Sequence, residues 1–461
     1  MIEKADLKNL SIDEKRALLK KMLLEKKQKV GKEAETGTNV GDNYNEYTYD
    51  MFAQGASVDH TEVTQFNKWI ENATRDGVYA FESERLFEQR EEMELVRETG
   101  ETLKLINFSS YNYFGYGYHP EVKQASKDAI DKFGTGAASS PVISGTFSIH
   151  KQLEKNLVDF MGFDNSYGTS LFTSGYGACT GSISAYMKPG SYIILDETSH
   201  ASLMEGAAIS GASIRLFKHN DVKDLEKILK ELKSEDVRKL ICCEGIYSAE
   251  GDRGRVGEIV KLAKKYNAKT FVDEAHSILI AGANGRGVCE EHNVLNDVDM
   301  IILTFSKTFC AVGGALIAKK EITQYVNWYA RGRMFSAAMP PAVVGSILKA
   351  LELGAGEDGD IRRKKIKENS NYMKSLLKDK VNTLGSESWI IPVVYYDETI
   401  ALKLSDYLQR KGVDGGLMNF PAVPKGKARI RLFITSEHTK EQLERSSKII
   451  IKAAEKFGFQ K

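Results

Sequence analysis

The sequence has few cysteines, almost no net charge and no long apolar run. Its 461 residues include five cysteines, Cys179, Cys242, Cys243, Cys289 and Cys310. An odd number without C-x-x-C spacing argues against a disulfide framework and against a structural zinc site. That usage suits a reducing, cytoplasmic setting. The formal charge is +1, so no whole-chain field points to nucleic acid. No uncharged apolar run reaches the roughly 18 residues that a membrane span needs. The start, Met1-Ile2-Glu3-Lys4-Ala5-Asp6, lacks the apolar core of a signal peptide. The length suggests two or three folding units, at roughly 100–200 residues each.

The first segment stands apart. Ser11 and Glu14 form a capping-box pattern with Leu10 just outside, and Leu18, Leu19, Met22 and Leu23 make one apolar stripe among lysines. The pattern predicts a helix over Ser11–Lys29, followed by a polar linker at 31–45. So short a helix needs a partner for its stripe. Packing on its own protein and docking on another protein both satisfy that need.

From about Asn107, apolar runs alternate with helical patterns. Ser191–Leu195, Lys239–Cys243, Thr270–Val272 and Met300–Leu303 read as strands. Gln152–Phe160, Val222–Leu232 and Val256–Tyr266 read as helices. This alternation predicts βαβ units and a mostly parallel sheet covered on both faces. Beyond about Tyr325, a charged helix at Asp360–Lys378, a strand at Trp389–Val394, a helix at Thr399–Lys411 and a strand at Arg429–Ile434 read as a smaller α+β domain. The expected division is 1–35 for the N-terminal helix, 36–105 for a linker and N-terminal segment, 106–325 for a large domain and 326–461 for a small one.

Four stretches fall at or near predicted strand ends, where open α/β sheets bind ligands. Thr173-Ser174-Gly175-Tyr176-Gly177 is a glycine turn entering a helix, a shape that suits a phosphate as well as an ordinary junction. Asp196-Glu197-Thr198-Ser199-His200 puts an imidazole past a strand, able to stack on a flat ring. Val272-Asp273-Glu274-Ala275-His276 ends a strand with a carboxylate that needs a cation or a helix to cap. Thr304-Phe305-Ser306-Lys307 follows a buried strand, where burial frees an amine for Schiff-base chemistry. Each piece alone is common. Their order along one chain is not.

In that order the sequence resembles the α-oxoamine synthase family of fold-type I pyridoxal-phosphate enzymes, over about residues 105–455. Asn107-Phe108-Ser109-Ser110-Tyr111-Asn112-Tyr113-Phe114-Gly115 is similar to the family's entry motif. Ser144-Gly145-Thr146 with His150 and Leu153-Glu154, Glu244-Gly245-Ile246-Tyr247-Ser248 with Gly251-Asp252, and Phe335–Pro341 match further family segments, as does Arg429-Ile430-Arg431. The resemblance implies a large domain with a seven-stranded type of sheet, a smaller C-terminal domain and a homodimer with its active site at the interface.

The resemblance also implies residue roles. Lys307 would hold pyridoxal 5′-phosphate covalently and move protons at the substrate α-carbon. Asp273 would pair with the pyridine nitrogen, and His200 would stack on the ring. His276 and Ser248 would lie near the phenolic oxygen. Gly175, Tyr176 and Thr304 would hold the phosphate, while Asn112 and Arg431 would meet the substrate. The implied activity is decarboxylative condensation of glycine, serine or alanine with an acyl thioester, giving an α-amino ketone. Another fold-type I activity (aldolase or aminotransferase) and a noncatalytic partner subunit stay open at this point. The chain departs from the family's pattern at Tyr111, Pro141, Phe309-Cys310 and Ala337-Ala338, all around the expected substrate entrance.

The stretch Leu10–Leu19 is also similar to linkers flanking carrier domains in polyketide and nonribosomal peptide synthases. That likeness implies an acyl donor held on a carrier protein as the alternative to coenzyme A. Lysines on the helix would complement an acidic carrier and speed encounter. Deleting residues 1–35 should then leave cofactor binding and thermal stability nearly unchanged. It should raise the apparent KM for a carrier-bound acyl donor more than for the same acyl-coenzyme A. Equal effects on both donors would assign the helix to packing.

Overall fold

A computed structural model describes residues 61–458 except Glu235 and Pro421. The predicted helix at 11–29 and linker at 31–45 lie outside the described residues. The strands are β1 (Glu84–Arg85), β2 (Glu92–Val96), β3 (Thr102–Phe108), β4 (Tyr167–Phe172), β5 (Tyr192–Asp196), β6 (Ser213–Phe217), β7 (Lys239–Glu244), β8 (Lys269–Asp273), β9 (Met300–Thr304), β10 (Gly314–Lys319), β11 (Ile390–Val394), β12 (Val413–Met418) and β13 (Arg429–Phe433).

A seven-stranded sheet has the order β4-β10-β9-β8-β7-β5-β6. The β6-β5-β7-β8-β9 ladders are parallel, and β10 alone runs against its two neighbours. Helices cover it, so Lys239–Glu244 and Met300–Thr304 are buried at every position. Such strands carry near-continuous apolar runs instead of alternating, which is why their existence was readable. Their ends were less so: each of the four expected strands runs one residue further, to Asp196, Glu244, Asp273 and Thr304. Three of those added residues carry carboxylates and the fourth a hydroxyl. A hydropathy pattern stops before such residues, whereas the hydrogen-bond ladder continues through them.

Helix starts follow their caps. The Asp221 side chain accepts from the N–H groups of Lys223 and Asp224, and the helix begins at Val222 as expected. The helix expected from Gln152 begins earlier, at Ser148. His150 accepts the Phe147 N–H at Nδ1 (3.0 Å), which closes the first turn, and its Nε2 meets the Met339 carbonyl at 2.8 Å.

The second sheet has the order β1-β2-β3-β12-β13-β11. Its inner pair, β3 and β12, is parallel and joins residues 102–108 to 413–418. Residues 84–105, expected as linker and N-terminal segment, thus contribute strands to the sheet formed by the C-terminal part of the chain. Sequence periodicity does not reveal a pairing between segments some 300 residues apart. Gly251 locks the loop after β7 to this sheet. Its φ is +74°, and a Cβ there would lie 2.1 Å from the Ile390 carbonyl oxygen. No helix among the described residues is long and apolar enough to cross a membrane.

His219, just past β6, ties together the loops at the carboxyl ends of the large sheet. Its Nδ1 lies 3.0 Å from Asp196 and its Nε2 3.0 Å from Asp252. Thr198 adds its hydroxyl to Nδ1 at 2.7 Å. Burial works against a charged ring here, but the hydrogen bonds and charges of the two carboxylates outweigh it and lift the imidazole pKa to about 10. The raised value stabilises the fold. That contribution is complete below the ordinary imidazole value of 6.5 and disappears as pH rises through about 10. His219→Gln should destabilise the protein by about 1–3 kcal/mol near neutral pH, because Asp196 loses its charged partner. Urea unfolding of both proteins across pH should show the gap closing above pH 10.

Candidate active site

One cavity of about 260 Å³ opens where β5, β7, β8 and β9 end and the helix at Gly175–Tyr186 begins. Its wall brings together Gly175, Tyr176, His200, Asp273, His276, Thr304 and Lys307, seven of the ten expected site residues. The three parts follow from the local folding.

The first part is a turn with hydroxyls. Ser174 caps the helix by accepting the Gly177 N–H at 2.9 Å. The N–H groups of Gly175 and Tyr176 remain at the helix start, where the first turn has no acceptor within the helix. Gly175 is required: a Cβ there would lie 2.2 Å from Thr304 Oγ1, and one on Gly314 would lie 2.7 Å from Gly175 Cα. This closeness sets Thr304, 3.1 Å from the Ser306 hydroxyl, against the helix start. Backbone donors, a helix dipole and two hydroxyls make an anion cradle. The Tyr176 hydroxyl is already committed to Glu205 and its ring stands edge-on to His200, leaving its backbone for the cradle.

The second part is a set of charges. Asp273 is buried, with Oδ1 accepting the Ala275 N–H at 2.9 Å and Oδ2 3.6 Å from the Cys179 thiol. Lys307 faces the cavity. Burial pulls its ammonium pKa down, against the charges of Asp273 and Glu244. His200 also opens into the cavity. Burial, then the Lys307 charge, lowers its pKa, with Asp273 opposing. Its Nδ1 accepts the Ser202 N–H at 3.3 Å, so the neutral ring carries its proton on Nε2. His276 is held well below its ordinary value by burial and then by the Lys307 charge, and its Nδ1 bonds the Tyr113 hydroxyl at 2.9 Å.

The third part lies behind His276. The Arg431 guanidinium packs 4.4 Å over the Phe433 ring and donates to the Ser248 carbonyl at 2.9 Å. Its Nε is buried without a hydrogen-bond partner, and no carboxylate pairs with it among the described residues. Its charge still acts on Lys307, His200 and His276. Ser248 is drawn in through its carbonyl and is not part of the cavity wall.

Asn112 lies outside the cavity wall: its amide nitrogen donates to the Gln89 carbonyl at 3.2 Å and its oxygen accepts the Gly117 N–H at 3.3 Å, which holds the entry loop. Tyr111 takes the place in the wall, with its ring edge-on to Phe433 at 5.0 Å. Reasoning from sequence also missed Glu244, Cys179 and Ser202, which line the cavity. Glu244 had a signal: it closes a buried strand with a carboxylate, as Asp273 does.

A cavity with an anion cradle, a buried carboxylate, a flat neutral imidazole and a lysine of lowered pKa fits pyridoxal phosphate. The family model for aminotransferase class I and II matches residues 104–450. The 8-amino-7-oxononanoate synthase of Thermoanaerobacter pseudethanolicus is 39% identical over 358 residues, 77% of this chain and 88% of that one. The serine palmitoyltransferase of Bacteriovorax stolpii is 34% identical over 372 residues, covering 80% and 87%. A solved serine palmitoyltransferase variant from S. paucimobilis, with a bound adduct of pyridoxal phosphate and myriocin, superposes with TM-score 0.79. It is 31% identical and covers 86% of this chain and 99% of that one. With these relatives and this cavity, the chain belongs to the α-oxoamine synthases, pyridoxal-phosphate-dependent acyltransferases of fold type I.

Proposed function

We propose that the protein joins a small amino acid (glycine, alanine or serine) to an acyl thioester, releasing carbon dioxide and forming an α-amino ketone. The observation that carries this reading is a lysine in the cavity wall with a second cation near enough for its charge to act on it. Lys307 is an amine eased toward its neutral form, and Arg431 is a guanidinium that no carboxylate pairs with among the described residues. The first suits a nucleophile and proton carrier. The second suits a carboxylate, bound through two parallel hydrogen bonds.

Pyridoxal phosphate, when bound, supplies a covalent hold on the amine and an electron sink for the pair left at the α-carbon. The protein does the rest. Gly175, Tyr176 and Thr304 would hold the phosphate. Asp273 would keep the proton on the pyridine nitrogen, and His200 would stack on the ring. His276 and Ser248 would serve the phenolic oxygen. Arg431 holds the amino-acid carboxylate until it leaves as carbon dioxide. Lys307 would take the α-proton, the pair left at the α-carbon would add to the thioester carbonyl, and the thiolate would depart and take up a proton from solvent. After loss of carbon dioxide, Lys307 returns a proton to the same carbon.

Tyr111, at the open side of the cavity, borders the substrate entrance. Ile143, Val312 and Phe335 are exposed apolar side chains, and Val312 lines the cavity itself. They support closure of the site by a second copy of the chain, as a homodimer. The thioester is carried by coenzyme A or by an acyl carrier protein.

Lys307→Ala should abolish the lysine–cofactor link that borohydride fixes in the wild type. Turnover should fall by roughly 100- to 10,000-fold or more, the scale of losing a proton-transfer group. Borohydride fixation of a lysine in the variant would refute the assignment. Carbon dioxide release that needs both an amino acid and an acyl thioester, screened across amino acids, would separate this function from an aldolase or aminotransferase.

A further inference from the structure

The last residues of β7 and β8 are partners across the parallel ladder: Glu244 faces Asp273. Both are buried, and both line the cavity. Two carboxylates this close in a water-poor site do not both ionise readily. Their hydrogen bonds set them apart. Asp273 has a donor on each oxygen, the Ala275 N–H and the Cys179 thiol. Glu244 receives the His200 N–H on Oε1 at 2.6 Å. Lys307 is the cation that acts on both, and Glu250, in the loop after β7, adds a further negative charge toward Glu244. Burial first, and then the Asp273 charge, push the Glu244 carboxyl well above its ordinary range, while the His200 N–H and Lys307 oppose this.

We propose that Glu244 works as an uncharged carboxylic acid that positions the His200 backbone, leaving Asp273 as the anion of the cavity floor. The proposal rests on the pyridoxal-phosphate reading of the cavity and adds a positioning residue to it. Oε1 is then the carbonyl oxygen, accepting the His200 N–H, and the proton sits on Oε2. An ionised Glu244 would hold the Lys307 ammonium in its charged form. It would also rival Asp273 for the cofactor's pyridine proton. An uncharged Glu244 leaves one carboxylate to one pyridine nitrogen and lets Lys307 lose its proton.

The test compares holoenzymes of the wild type, Glu244→Gln and Glu244→Ala. An amide keeps the acceptor for His200 without a charge. Glu244→Gln should keep the cofactor's visible band and a kcat within about tenfold of wild type at neutral pH. Glu244→Ala should fall roughly 10- to 100-fold below the Gln variant, because the His200 N–H loses its acceptor. The infrared difference between wild type and Glu244→Gln should show the carbonyl stretch of a protonated carboxylic acid. In alkali, wild-type kcat should fall as Glu244 ionises beside Asp273, and the Gln variant should lack that step. A Gln variant as impaired as the Ala variant at neutral pH would overturn the proposal. So would the absence of the protonated-acid band, whether or not the Ala variant folds. Borohydride fixation of a lysine in the wild type checks the cofactor reading separately. If fixation succeeds and the Gln variant still fails, only the role of Glu244 falls; if fixation fails, both fall together.

Discussion

A carboxylate buried at the end of a strand needs a cation, and Asp273 organises the site around that need. The carboxylate is kept from water by the sheet on one side and the helix at Gly175–Tyr186 on the other, so its attraction for a cation is weakly screened. The neighbouring groups are arranged to leave that attraction unshared. The Ala275 N–H and the Cys179 thiol aim the two oxygens. Lys307 is pulled by burial toward its neutral form. His200 and His276 are both pushed toward neutrality, so neither imidazole competes as a cation.

Such charge control needs rigid loops, and the scaffold supplies them from outside the cavity. Asp196, whose loop leads to His200, is clamped through His219 to Asp252 in the loop after β7. That same loop carries Ser248, whose carbonyl holds Arg431 of β13. At Gly251 it is pressed against β11 of the second sheet. A chain of contacts thus runs from the loop that carries His200 to the guanidinium on the other sheet.

Much of this was legible in the residue order. The strands β5, β7, β8 and β9 carry apolar stretches without alternation, as a sheet covered on both faces requires. Ligands bind where such strands end, so Asp273, His200, Thr304 and Lys307 could be singled out by position. The one-residue errors at the strand ends matter more than their size suggests. Glu244 and Asp273 fell just outside their expected strands, and their pairing across the ladder was invisible for that reason.

The sequence by itself determined the sheet type, the cofactor and the chemical identity of the groups that could hold it. These depend on local patterns, namely apolar runs, a glycine turn and a lysine after a strand, whose order along the chain resembles the family's. Only the tertiary structure decided that Glu244 and Asp273 pair across the ladder, that Asn112 serves the loop while Tyr111 lines the cavity, and that residues 84–108 complete the C-terminal sheet. The physical reason is the same in each case. Hydrogen-bond partners, burial and electrostatic coupling are set by neighbours in space, and these neighbours lie tens to hundreds of residues apart along the chain.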